Sequence, residues 1–568
     1  ARCRVGDMVT VSLLDYGAGN VRSVRNALSK LGYRVVDIDK PEQLRSAQVV
    51  VFPGVGSFGA AMSFLEQKGF LEPLREHVRA DRPFVGICLG MQTLFEGSEE
   101  SPGVHGLGVL PGVVRRFQIP DSAHPLAVPQ IGWNGFAPYK QSPALAGLDE
   151  DSCVYYVHSY YVPMADELHD WILTTTTYGV DYVSAVQRGN VLATQFHPEK
   201  SSKTGLAILD NHLRAVAAGA AVPRAPPALE SVRASAQTRP RKRVVACLDV
   251  RTNDDGDLVV TKGDSYNVRE VSAAAAASAP PGGKGAVRNL GKPVALASRY
   301  YEEGADEITF LNITGFRDSP LGDLPMLSLL VEASQTLFVP LAVGGGIRDY
   351  VDAQGVAHSA LDVAAAYFRA GADKVSIGSE AVVAAKAYWA RGGCGDGSSC
   401  IEQIAHVYGR QAVVISVDPR RVWVDAPAAA GAHKDACVES PQGALGPAGE
   451  RFCWYECTVK GGREGSDLDV VQLARGCEAL GAGEMLLNSI DADGQNRGFD
   501  IALVSQVKRA VTVPVIASSG AGCVEHFSSV FAETDVEAAL AAGIFHRKEV
   551  SVADVKLHLK AKGIAYRP

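Results

Sequence analysis

Residues 84–92, FVGICLGMQ, read as a buried strand of four mostly apolar residues, Phe84 to Ile87, a bend at Cys88, and a helix from Leu89 to Phe95. A cysteine at the apex of a strand-to-helix bend is a nucleophile elbow. Gly86 and Gly90, two residues to either side, permit the sharp turn and the close approach of a substrate, and the N–H groups of the helix start face the sulfur. Taken alone, the pattern is equally that of a buried core cysteine, a common place for a free thiol. The surrounding sequence separates the two readings.

Upstream, Val9 to Leu14 is an apolar strand ending at Asp15, followed by Tyr16-Gly17-Ala18-Gly19 and a helix with Val21, Val24, Leu28 and Leu31 on one face, stopped by Gly32. Val35 to Ile38 and Gln48 to Phe52 supply further strands, so parallel pairing is expected. The last runs into Pro53-Gly54-Val55-Gly56-Ser57-Phe58-Gly59. Such a loop is a tight turn in isolation, but exposed backbone N–H groups beside a nucleophile are what an oxyanion hole requires. Downstream, Tyr155 to Val162 carries His158, and Gln195-Phe196-His197-Pro198-Glu199 follows. A lone histidine on a strand is usually structural. His197 and Glu199 are two apart, so in an extended segment both side chains project to one face and the carboxylate orients the imidazole.

The chain has 568 residues, enough for two large α/β units, with 47% hydrophobic and 21% charged residues. No uninterrupted apolar run is long enough to span a bilayer, so a soluble protein is expected. A net charge of −8 argues against a nucleic-acid surface, while leaving room for local basic pockets that hold phosphates. Eleven scattered cysteines without a C-x-x-C pair suggest neither a disulfide framework nor a zinc site, and fit a reducing compartment. The opening Ala1-Arg2-Cys3-Arg4 fits the trimmed end of a targeting peptide and an arbitrary boundary equally.

Cys88 in G-x-C-x-G, the PGVGSFG loop and QFHPE together resemble the triad glutamine amidotransferases, over roughly the first third of the chain. Gln130-Ile131-Gly132-Trp133-Asn134 is similar to the glutaminase of the imidazole glycerol phosphate synthases. The resemblance implies that Cys88 attacks the glutamine side-chain amide, that His197 takes the thiol proton and returns it to the departing ammonia, and that Glu199 holds His197. It further implies an oxyanion hole from the N–H of Leu89 and the loop of Gly54, Val55 and Gly56, with Gln92 in contact with bound glutamine.

Beyond His212 the sequence becomes rich in Ala and Pro, with no aromatic residue, and reads as an irregular linker. The expected organisation is residues 9–214 as one domain, 215–240 as linker and 241–568 as a second. The second contains an internal repeat. VVACLDV ending near Asp249 and VVISVDP with Asp418, Leu311-Asn312 and Leu487-Asn488, and VPLAVGGG from Val339 and VPVIASSG from Val513 each recur 169 to 176 positions apart. Two similar halves of alternating strands and helices predict a closed (β/α)8 barrel, giving the chain an α/β class: an open α/β domain fused to a TIM barrel. Asp249 and Asp418 fall at the C-terminal strand ends, opposite one another, as a general acid–base pair; either alone is more commonly a helix cap. Gly344-Gly345-Gly346 with Gly378-Ser379, and Ser519-Gly520 with Ala542-Gly543, form paired anion nests at helix starts. The pairing suggests an elongated ligand phosphorylated at both ends.

This half resembles the cyclase of the same synthases over nearly its whole length, through ACLDVR, TKGD, FLNITG, VGGGIRD, ADKVSIGSEA, GAGEMLLNSIDADGQ and IASSGAG. The fused form is similar to the bifunctional enzymes of plants and green algae. The resemblance implies Asp249 and Asp418 as the acid–base pair, Lys262 on a mobile first loop, and Asn488 and Asp493 lining the same mouth. The Ala-Pro tract from Ser272 lies in or near that loop. The inserts at Ala426 to Gly449 and Arg391 to Ser399 read as solvated decoration. Arg243, Glu307, Lys374 and Glu484 sit near the beginnings of barrel strands and are placed to close a ring of opposite charges at the bottom face, which normally reads as stability; the resemblance makes this ring the gate for ammonia. It also implies glutamine and a bis-phosphorylated ribonucleotide as small-molecule substrates, no metal or organic cofactor, no nucleic-acid or membrane partner, action as a monomer, and residence in the plastid stroma, otherwise the cytoplasm. Two rivals stand beside it: a sugar isomerase on the same half-barrel symmetry, against which the fused glutaminase argues, and a scaffold with a degenerate glutaminase, against which Cys88, His197 and Glu199 argue.

Overall fold

The computed structural model describes residues 9–15, 17, 20–118, 126–219, 238–253, 258–261, 289–313, 324–352, 354–440 and 445–568. Lys262, the Ala-Pro tract from Ser272 and the connecting stretch 220–237 lie outside them.

In the N-terminal domain the apolar runs pair in parallel, in the order Arg34–Asp37, Thr10–Leu13, Val49–Gly54, Phe84–Cys88 and Val191–Thr194. Beyond them the sheet turns antiparallel, starting with Val180–Arg188. Val49–Gly54 and Phe84–Cys88 are buried at every residue, as a central parallel strand must be when both faces of its sheet are covered. The helix after Cys88 is shorter than predicted, a single turn from Leu89 to Gln92. It stops because the carbonyls of Thr93, Leu94 and Phe95 accept hydrogen bonds from the backbone of residues 107–110 instead of from a next helical turn. At the domain's end a helix runs from Ser202 to Ala217, past the expected limit at residue 214.

Among the described residues of the second domain, eight parallel strands follow one another round a closed barrel. They are Arg243–Thr252, Glu307–Asn312, Leu341–Gly344, Lys374–Ile377, Val413–Val417, Glu484–Asn488, Val515–Ser518 and Ala538–Ala541, and the last pairs with the first. Alternation sorts their side chains. Val244, Ala246 and Leu248 face outward into the large core shared with the helices. Val245, Cys247, Val414, Leu486, Ile516, Ala538 and Leu540 form a separate apolar cluster inside.

After Asp418 the chain makes a small sheet at the mouth, in which Phe452–Val459 pairs with Pro419–Val424, Val438–Glu439 and Glu464–Asp469. The insert expected to be solvated decoration is partly packed: Pro427–Ala436 tucks His433 against Trp454, ring centroids 3.9 Å apart, and Gln506 donates to the carbonyl of Ala436 at 2.7 Å. Residues 391–399 are largely exposed, as expected.

The N-terminal domain sits against the bottom of the barrel. Pro240–Arg241, at the expected junction of the linker and the second domain, adds a strand to Gln130–Gly135. Trp133 donates its indole N–H to the carbonyl of Asp306 at 3.1 Å and lies under the guanidinium of Arg567, 4.4 Å from the ring centre. Lys200 pairs with Asp373 at 2.6 Å, and the Asn20 amide donates to the carbonyl of Gly371 at 2.7 Å. Ile131, Trp133, Cys153 and Tyr155 belong to the same core cluster as the barrel, so the two domains share a continuous apolar interior. None of the cysteines among the described residues is in a disulfide.

Candidate active sites

Cys88 takes φ +53°, ψ −105°, a left-handed backbone that a side chain rarely tolerates and that the packing around it must enforce. The turn after it presses on the neighbouring strand: a Cβ on Gly90 would lie 2.1 Å from the carbonyl oxygen of Phe52. The Gln195 amide donates to Cys88 Sγ at 3.5 Å. His197 Nδ1 lies 2.8 Å from Glu199 Oε1, with both residues buried. The pairing predicted for an extended segment is made differently, since Pro198–Lys200 is a 3-10 turn and it is this turn that folds Glu199 back onto His197. Burial opposes the imidazolium. The Glu199 carboxylate and the Cys88 sulfur, with their hydrogen bonds, outweigh it and hold His197 well above its ordinary range. His158 is the structural histidine: burial pushes it down to about 3, and its Nδ1–H donates to the Tyr160 carbonyl at 2.7 Å.

A cavity of about 260 Å³ contains Cys88 and His197, and its wall includes Gly54, Val55, Gly56, Leu89 and Gln92. The Gln92 amide is fixed by donating to the carbonyl of Tyr160 and to Gln195 Oε1, both at 3.0 Å. Glu100, which the sequence reading missed, also lines the cavity; burial raises its carboxyl while the Phe58 N–H, donating at 2.8 Å, lowers it. Nothing in its local sequence, Ser98-Glu99-Glu100-Ser101, marks one glutamate above the other. The far wall belongs to the barrel, with Asp373 and Lys374 beside Tyr155 of the N-terminal domain.

Lys374 is one corner of a closed ring. Arg243 pairs with Glu307 at 2.8 Å and with Glu484, and Lys374 pairs with both Glu307 and Glu484 at 2.6 Å. Each residue opens its strand, and none of the four is more than 1% exposed. Two cations and two carboxylates in alternation leave each charge with two opposite neighbours, which is what lets them persist without water. The two cations bring the carboxyl of Glu484 below its usual range against the opposing effect of burial.

At the other end, Asp418 follows Val413–Val417 directly, whereas Asp249 lies three residues before the end of its strand, which continues into a hairpin with Leu258–Val260. Their strands are the first and fifth of eight and stand opposite one another. Burial raises the Asp418 carboxyl; the Asn488 amide, donating at 2.9 Å, lowers it, and the Asp493 charge raises it again. Of the four glycine-rich positions, two begin helices: Gly378 precedes Ser379–Ala390, and Ala542 precedes the single turn Gly543–His546. The other two do not, because Gly345-Gly346 and Ser519-Gly520 turn with positive φ into further loop. At both turns the backbone approaches another segment closely: a Cβ on Gly345 or Gly520 would meet the carbonyl of Asn312 or Gly498 at 2.2 and 2.1 Å. Lys262 lies outside the described residues.

Two family profiles match, one described as glutamine amidotransferase class-I over residues 12–216 and one as histidine biosynthesis protein over residues 243–551. The chain is 52% identical over 557 residues to the chloroplastic imidazole glycerol phosphate synthase hisHF of Arabidopsis thaliana, covering 98% of this chain and 89% of the relative. It is 50% identical to the imidazole glycerol phosphate synthase hisHF of Emericella nidulans, covering 99% of each. The corresponding protein of Schizosaccharomyces pombe is 50% identical, over 98% and 99%.

Proposed function

Since the chain belongs to the bifunctional imidazole glycerol phosphate synthases, glutamine-dependent enzymes of histidine biosynthesis, we propose the following division of labour among its residues. Cys88 attacks the glutamine carboxamide; His197 accepts the thiol proton and passes it to the leaving ammonia, with Glu199 stabilising the imidazolium formed between. The N–H of Leu89 and the Gly54–Gly56 loop receive the oxyanion, and Gln92 contacts the substrate. Water then hydrolyses the thioester to glutamate.

Ammonia leaves through the cavity floor. The observation that carries this reading is that one cavity is lined by both Cys88 and Lys374, so the nitrogen donor and a corner of the charged ring share one space. The ring of Arg243, Glu307, Lys374 and Glu484 acts as gate. Above it, Val245, Val414, Leu486, Ile516 and Leu540 supply an apolar passage that accepts neutral ammonia and penalises ammonium by desolvation. At the mouth, Asp249 and Asp418 serve as general base and acid while ammonia attacks the phosphoribulosyl-formimino carboxamide ribonucleotide, which, with loss of one water, gives imidazole glycerol phosphate and aminoimidazole carboxamide ribotide. The raised carboxyl of Asp418 suits the acid. Asn488, Asp493 and Lys262 contact the substrate, and the turns at Gly345-Gly346, Gly378-Ser379, Ser519-Gly520 and Ala542-Gly543 receive its two phosphates. The enzyme acts as a monomer, and its chloroplastic relative supports residence in the plastid.

The test compares wild type with Cys88→Ala, supplied with glutamine or with ammonium. The variant is expected to lose the glutamine-dependent reaction and keep the ammonium-dependent one at close to the wild-type rate. Loss of both, in a folded sample, overturns the division of labour.

A further inference from the structure

Eighty-two residues beyond the candidate acid Asp418, a single buried carboxylate, Asp500, gathers three segments of the barrel mouth. Asp500 begins the helix Ile501–Ala510, accepting from the Leu503 N–H at 3.2 Å. The same carboxylate accepts from Arg421 Nη2 at 2.5 Å, from the Tyr455 hydroxyl at 2.8 Å and from the Ser489 hydroxyl at 3.4 Å. Tyr455 and Asp500 are buried, and the Arg421 side chain is 18% exposed. Such a network exceeds what one helix cap needs.

Its connections run to the reacting groups on both sides. Arg421 lies three residues after Asp418, and its own N–H donates to Asp491 at 2.8 Å. The carbonyl of Pro419, next to Asp418, accepts from the N–H of Ile490 at 3.1 Å, so the strand carrying the acid and the loop after Asn488 are laced together along their length. The Asp418 carbonyl is held from the inserted strand by Thr458, whose N–H and hydroxyl donate at 3.0 and 2.6 Å. Tyr455 belongs to that same strand. The loop from Ser489 to Asp500 includes Asp493, whose N–H donates to the Ser489 carbonyl at 3.0 Å. Asp500 therefore fixes both ends of the arc that places Asp418 against Asp493.

We propose that Arg421, Asp500 and Tyr455 are positioning residues for the cyclase reaction: by tying the strand after Asp418, the inserted sheet and the loop bearing Asp493 to one carboxylate, they set the approach of the acid to bound substrate. Removal of the tie leaves the substrate-binding turns in place and lets Asp418 drift from its reactive geometry. A positioning loss of that kind falls on turnover rather than on affinity. The inference rests on the assignment of Asp418 as the cyclase acid.

The experiment measures ammonium-dependent cyclisation of the ribonucleotide by the full chain in wild type, Asp500→Asn, Arg421→Lys and Tyr455→Phe, with thermal unfolding of each. Asn remains a good helix cap, so Asp500→Asn removes the charge from Arg421 while keeping the start of the helix. The expected result is a fall in kcat of tenfold or more for Asp500→Asn and Arg421→Lys, with KM for the ribonucleotide within threefold, basal glutamate release unchanged and the unfolding transition within a few degrees. Tyr455→Phe, which deletes one hydroxyl and is the mildest change for folding, is expected to lower kcat less. Turnover within twofold of wild type in folded Asp500→Asn and Tyr455→Phe overturns the proposal, as does a loss that appears only in proportion to lowered thermal stability. A wild-type chain that fails to cyclise the ribonucleotide with ammonium, or a fully active Asp418→Asn, instead overturns the assignment of the site.

Discussion

The two ends of the barrel are made from the same strands and treat charge in opposite ways. At the bottom, Arg243, Glu307, Lys374 and Glu484 are dry, and every charge has two partners of opposite sign. At the mouth, among the described residues, Asp418 meets the neutral Asn488 amide and the nearby Asp493 carboxylate, and its carboxyl is raised where that of Glu484 is lowered. Compensated charge holds a structure together, while uncompensated charge is free to exchange a proton. The difference supports the proposed division, with the compensated face holding the structure and the uncompensated one carrying the proton chemistry.

The largest expected effect lies at the mouth and has two opposite signs. Asp418→Asn removes the transferable proton, so ammonium-dependent cyclisation should fall by about 10²–10⁴-fold, the usual contribution of general acid–base catalysis. The same change should leave the protein as stable or more so. A carboxyl raised in the folded state penalises folding once pH rises above its unfolded value, and the neutral amide escapes that penalty. Steady-state rates and thermal unfolding at neutral pH check both halves. A variant that loses stability along with activity would erase the contrast between the faces.

At the bottom face the signs reverse. Glu484→Leu leaves Arg243 and Lys374 sharing one carboxylate in a dry site, and removal of one member of a buried ionic set costs about 3–5 kcal/mol. Denaturant unfolding of this variant, set beside Asp418→Asn, measures the comparison directly. An unfolding free energy within about 1 kcal/mol of wild type would mean that water reaches the ring and that the dry bottom is not dry.

How much of this contrast the sequence discloses follows from what it rests on. The ring is legible because each member begins a strand of known direction, and strand alternation then dictates that all four point inward. The closed barrel is legible from the repeat. His197 and Glu199 were rightly paired through a wrong geometry, since their proximity comes from a 3-10 turn set by Pro198 and not from an extended strand. The meeting of Asp500, Arg421 and Tyr455 is invisible in the sequence, because it depends on how an inserted sheet folds over a loop, bringing together residues 45 and 79 positions apart, and no local period records that. The meeting of Asp306, Arg567 and Trp133 escapes for the same reason: the C-terminal segment returns beneath the barrel to meet the N-terminal domain.

The smallest expected effect, per group, extends the comparison from the two faces to the two domains. His77, His158 and His212 of the N-terminal domain are buried, and burial pushes them to about 4, 3 and 4. A histidine lowered in the folded state stays neutral there while its unfolded counterpart takes up a proton. Stability is therefore full above about pH 6.5 and is lost as pH falls toward these values, by about 1.4 kcal/mol per imidazole at one unit below. Asp418 behaves conversely, because acid relieves its buried charge. His197, held well above its range, gains stability on acidification and offsets about one of the three, and the remaining balance should weaken the N-terminal domain first. Unfolding followed between pH 7.5 and 5.5 should show His77→Gln, which keeps an amide donor for the Pro83 carbonyl, losing about 1.4 kcal/mol less than wild type over that interval. An unchanged acid dependence in this variant would place the sensitivity in other groups, and the domain contrast would then have to rest on the carboxylates alone.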